Sequence, residues 1–132
     1  MDITRERQLS EVLQSIGVPS HIKGYRYIKE AVSIVLDWYQ NEKYDYSMTK
    51  ELYPEIARAC HSTSSRVERA IRHAVESAFD RGLDELEDVF KGNYSPERGK
   101  PTNAEFIARL AEYVRFNVDM AQKKVIHAGS LM

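Results

Sequence analysis

The long apolar tracts in this 132-residue chain repeat at intervals of three and four rather than alternating residue by residue with polar positions. Spacing of that kind lines up apolar side chains on one face of an α-helix, whereas a half-buried strand needs a period of two. Leu9, Val12, Leu13 and Ile16 make the first stripe, which Gly17 and Pro19 stop. A second helix is predicted over about 25–42, with Ile28, Ala31, Val32, Val35, Leu36 and Tyr39 on its inner face. Residues 41–47 are polar and read as a loop. A third helix is predicted to start near Pro54, since proline lacks the amide hydrogen that a first helical turn leaves unbonded. A fourth covers 64–82, and a short acidic fifth covers 84–90. Residues 91–101 hold two glycines and two prolines and read as a surface loop. Thr102 with Glu105 three residues on is a capping box. It opens a last helix through Phe106, Ile107, Leu110, Ala111, Val114 and Val118, and the tail over 121–132 is expected to fray. The expectation is a single all-α domain over 1–132, of six helices with no significant sheet.

Three features narrow the function classes. No apolar run approaches the roughly 18 residues of a membrane helix, so no membrane is expected as a partner. Met1 to Arg7 lacks the apolar stretch of a signal peptide. The lone Cys60 cannot close an internal disulfide. The cytoplasm is therefore the expected location. No nucleophile, base and orienting group stand together as a set, so an enzyme is not expected, and neither is a cofactor. Cys60, His61, His21, His73 and His127 do not fall at metal-ligand spacing with a second pair. Cys60 reads instead as a core residue and no metal is expected. The tyrosines at 25, 27, 39, 44, 46 and 53 read as core and loop packing.

The segment 54–82 has the spacing of a helix-turn-helix. Ala57 is small enough to let a second helix pack across the first. His61 stands four positions later, where the turn needs a residue tolerant of positive φ, and histidine is among those enriched there. Val67 follows six positions on as the apolar anchor of the second helix. In such a motif the second helix enters the major groove of duplex DNA. At roughly 100° per residue from Arg66, the side chains of Val67, Ala70, Ile71, Ala74, Val75 and Ala78 fall between about 40° and 180°. Ser65, Arg66, Arg69, Arg72 and His73 fall on the opposite face, between roughly 240° and 360°.

Arginine at a helix front can bond O6 and N7 of guanine together, and Glu68 beside it can accept from a cytosine amino group. Ser62, Thr63, Ser64 and Ser65 stand where hydroxyls and helix N-terminal amides grip a phosphate. His21 and Lys23, just before the second helix, are further phosphate candidates. The same face equally describes a solvated surface. The net charge of −1, from 19 basic and 20 acidic residues, does not separate the two. Phosphate contact needs a local basic face rather than a basic protein.

The stretch Ser-Arg-Val-Glu-Arg-Ala-Ile-Arg-His-Ala at 65–74 resembles the recognition helix of the stage-zero sporulation response regulator A family. Ile-Gly-Val-Pro-Ser-His-Ile-Lys-Gly-Tyr at 16–25, Leu-Tyr-Pro-Glu-Ile-Ala at 52–57 and Lys-Pro-Thr-Asn-Ala-Glu-Phe-Ile-Ala at 100–108 resemble the same family in the same order. The likeness runs from about Leu9 to Phe116 and is to the C-terminal effector domain. It implies a six-helix domain that reads a TGTCGAA-like box and activates or represses sporulation genes. It implies that Arg66, Glu68, Arg69, Arg72 and His73 read bases, and that homodimers form head to tail on tandem sites through the last helix. It also implies a surface for RNA polymerase sigma factor at about Asp84 to Tyr94, where this chain is more acidic than the family pattern. The family's receiver domain has no counterpart in the sequence, so the chain is expected to be an excised effector or a regulator without a receiver. Two readings stay open: duplex DNA binding, or a helical protein-interaction module that pairs with a homologous regulator without binding DNA.

Overall fold

A computed structural model of the chain describes residues 3–91 and 99–130, with the side chains of 118–130 outside that description. The described residues form six α-helices and no strand, as the periodicity predicts. In chain order these are α1 (Ile3–Ser15), α2 (Lys23–Gln40), α3 (Tyr53–Ala59), α4 (Ser64–Arg81), α5 (Asp84–Val89) and α6 (Asn103–Ser130). The expected fraying over 121–132 falls on residues whose side chains, and at 131–132 the backbone too, lie outside the described part. Helix α1 begins two turns before its first buried leucine. Those turns are fastened to α2 from outside, by Arg5 on Asp37 at 2.8 Å and Lys29 on Glu6 at 3.3 Å.

Three of the helix ends are built alike. In each, a residue with positive φ turns the chain back, and the next amide bonds to the carbonyl five residues earlier. Gly17 does this after α1, with the Val18 amide on the Leu13 carbonyl at 2.9 Å. Glu42 does it after α2, with Lys43 on Trp38 at 2.8 Å. His61 does it after α3, with φ 54 and Ser62 on Ala57 at 2.9 Å. The histidine is thus where the turn spacing places it. One element was not expected: a five-residue π-helical turn over Met48–Leu52 leads directly into α3. Its Ser47 cap accepts from the Lys50 amide, and Glu51 accepts from the Ser47 amide and pairs with Lys43.

Helix α2 lies at the centre, packed on α1, α3, α4 and α6. It buries Tyr27, Ile28, Ala31, Val32, Val35 and Leu36. Its approach to α4 is unusually close. A methyl group on Gly24 would stand 2.3 Å from the Ala70 carbonyl oxygen and 2.6 Å from the Ala74 side chain. Only glycine allows two helix backbones this near each other. At the far end of α4, Phe90 stacks on Phe106 at 4.8 Å between ring centres, with Phe79 edge-on to both. These rings fix α5 and α6 against α4. The Thr102 and Glu105 capping box forms as expected, each residue's side chain accepting from the other's amide at 3.1 and 3.0 Å.

Candidate nucleic-acid interface

Helices α3 and α4 are joined by the short turn 60–63. Ala57 is buried on one side of it and Val67 on the other. Thr63 caps α4, its side-chain oxygen accepting from the Arg66 amide at 3.3 Å. Val67, Ile71, Ala74, Val75 and Ala78 face the core. Arg66, Glu68, Arg69 and His73 are exposed on the other side. Of the phosphate candidates, Thr63, Ser65, His21 and Lys23 are exposed, while Ser62 and Ser64 are half-buried.

The front of α4 borders a cleft of about 590 Å³. Arg66, Arg69 and Ala70 form one wall, and Lys23, Arg26 and Tyr27 of α2 form the other. Cys60, His61 and Ser62 of the turn close its end. Four cationic side chains from two helices therefore face one opening. The Cys60 thiol adds no negative charge to it. Burial pushes that thiol above its ordinary value, against the pull of Arg26 and with the push of Glu30.

What distinguishes these cations is that four of them converge without a carboxylate, since among the described residues single cations such as Arg7, Arg81 and Arg109 also lack one. On the rest of the described surface Arg5, Lys29, Lys43, Arg58, Lys100 and Arg115 each pair with a carboxylate. Within the cleft Arg69 meets only the Ser65 carbonyl, at 3.4 Å. The side chains of Lys23, Arg26 and Arg66 have no hydrogen-bond or ion-pair partner among the described residues. An anion entering here finds donors that no carboxylate has to release.

Arg72 is placed differently from the other arginines on this side of α4. Its Nη1 donates to the Pro101 carbonyl at 2.9 Å and its Nε to Glu76 at 3.2 Å. The Nη1 bond ties α4 to the segment that leads into α6. Asn103 makes a second such tie. It is buried and donates to the Tyr53 hydroxyl at 3.1 Å and to the Glu68 carbonyl at 3.2 Å. Further along α4, Glu76 and Asp80 continue the face of Arg66, Arg69 and His73, so its C-terminal half is acidic. Both carboxylates are paired, Glu76 with Arg72 and Asp80 with Lys100, so only the first turns offer cations that no carboxylate holds.

Sequence reasoning missed Arg26. It lies on another helix, and only the contact at Gly24 brings it opposite Arg66. Its spacing of three from Lys23 on a polar first turn was the one signal available. Among the described residues, no three His, Cys, Asp or Glu side chains converge as metal ligands, and no helix is long and apolar enough to cross a membrane.

Residues 9–114 match the family described as sporulation initiation factor Spo0A, C terminal. The chain belongs to the Spo0A C-terminal family. Membership makes it a DNA-binding domain of the sporulation-regulator type, in a family of transcription factors rather than an enzyme class. The matched span takes in α2, the turn at His61 and all of α4. Both walls of the basic cleft therefore lie within the Spo0A-like part of the chain.

The left-handed turn can be tested by itself. His61→Gly relieves a side chain held at positive φ and should raise stability by about 1 kcal/mol. His61→Val should lower it by more than that, because a β-branched residue resists this conformation. Chemical denaturation of the three proteins measures both changes.

Proposed function

We propose that this domain reads a TGTCGAA-like box in duplex DNA by placing the front of α4 in the major groove. Arg66, Glu68 and Arg69 are the base-reading residues, with His73 at the deep end of the same face. Ser62, Thr63, Ser64 and Ser65 at the helix start, with His21 and Lys23 before α2, contact the flanking phosphates. Arg72 serves as a buttress rather than a reader, since two of its five N–H donors are already bonded, to Glu76 and to the Pro101 carbonyl. The observation that carries this reading is the cleft at the front of α4, which gathers Lys23, Arg26, Arg66 and Arg69 with no carboxylate among the described residues paired to any of them.

Partner contacts follow the family pattern. Copies pair head to tail on tandem boxes through α6, where Phe116 is exposed. The sigma-factor surface lies on α5 and beyond it to Tyr94, of which 92–94 are outside the described residues. Its described part presents Asp84, Glu85, Glu87 and Asp88 outward, a face suited to a basic partner.

The test is a fluorescence-anisotropy titration on box and scrambled duplexes at two salt concentrations. The expected result is tighter binding to the box at both, with affinity falling steeply as salt rises. Equal affinity for the two duplexes would overturn the reading. It would leave the alternative, pairing with a homologous regulator without DNA contact.

A further inference from the structure

We propose that Arg26 on α2 is a second DNA-contacting arm, which closes on a backbone phosphate from the side of the cleft opposite α4. The proposal rests on the DNA-binding reading above and adds a site outside the helix-turn-helix.

The first argument is one of size. An α-helix with its side chains is about 10–12 Å across, and the major groove is about 12 Å wide. A helix seated there fills the groove from wall to wall. Any helix packed beside its front must then meet the wall, and the wall is sugar and phosphate. Helix α2 is held beside α4 by the contact between Gly24 and Ala70. Arg26 is only two positions past that contact and is exposed.

The second argument is electrostatic. Arg26 shares the cleft with Lys23, Arg66 and Arg69. Glu30, one turn further along α2, is half-buried and forms no ion pair with it. Four like charges around one opening repel each other, and a phosphate between the two walls cancels that repulsion. The planar guanidinium adds geometry to charge, since its two parallel N–H donors match two phosphate oxygens. A phosphate contact of this kind fixes position without choosing bases.

The test uses the 132-residue chain and its Arg26→Ala variant. Binding to box and scrambled duplexes is followed by anisotropy from low to moderate salt. Arg26→Ala should weaken both duplexes by the same factor and leave the box preference intact. It should also make the slope of log K against log salt shallower by about 1, the loss of one phosphate contact. Arg26→Lys should restore most of the slope. Arg7→Ala, which removes an exposed cation on α1 outside the cleft, should leave it unchanged. An unchanged slope in Arg26→Ala overturns the proposal, and so does a change in box preference. An equal loss of slope in Arg7→Ala also overturns it, because the effect is then one of overall charge. A wild-type protein with a steep slope but no box preference would sink the base-reading proposal and leave the Arg26 comparison decisive.

Discussion

Gly24→Ala is expected to cost the domain about 3 kcal/mol and to lower its melting temperature by roughly 10 °C. The added methyl group lands on the Ala70 carbonyl oxygen and the Ala74 side chain. Neither can swing aside, because one is helix backbone and the other has no rotatable arm. Helix α2 must back away, loosening the core that it shares with α4. Thermal unfolding followed by circular dichroism measures the loss, with Gly82→Ala as its comparison. Gly82 has φ 59, and a methyl group there meets only the Phe79 carbonyl, at 3.7 Å. That variant should lose only about 1 kcal/mol, the ordinary cost of a left-handed backbone. Equal losses in the two would mean that the helices yield easily and that the close approach is unimportant.

Arg69→Ala should weaken binding to the box by about 1–3 kcal/mol, roughly 5- to 150-fold, and relax the choice of base at one position. Its melting temperature should not move, since Arg69 is exposed and bonded only to its own helix. Arg72→Ala should do the reverse. It breaks a partly buried bond to the Pro101 carbonyl and should lower stability by about 1–2 kcal/mol. Box and scrambled DNA should lose affinity in equal proportion. Titrations on a set of single-base box variants, with melting curves beside them, separate the two arginines. If Arg72→Ala relaxes base choice at an unchanged melting temperature, Arg72 reads DNA and the buttress role is wrong.

What the sequence made legible was local in origin. The inward stripe of α4 follows from one period, and the capping box at Thr102 and Glu105 from two residues three apart. The left-handed turn at His61 followed from its distance to Ala57 and Val67. What stayed hidden depends on contacts between distant parts of the chain. Arg72 looks like its neighbours until Pro101, 29 residues away, comes to its side. Arg26 belongs to the cleft only because a glycine beside it lets two helices touch. The π-helical turn at Met48–Leu52 is too short for a period to reveal, and its stability comes from Ser47, Glu51 and Lys43 acting together.

On the proposed reading, the change from basic to acidic side chains along α4 limits how much each molecule can know about a DNA sequence. The reading face from Arg66 to His73 rises about 1.5 Å per residue, roughly 10 Å in all. Base pairs stack about 3.4 Å apart, so this face spans only about three or four of the seven positions of the proposed box. A four-letter word recurs by chance about once in 256 positions, against roughly 10⁶–10⁹ competing sites in a genome. Past His73 the same face carries Glu76 and Asp80, paired with Arg72 and Lys100, and offers no further free donor to a base. If copies pair on tandem boxes as proposed, the address of a promoter is spelled by the array and not by the single molecule.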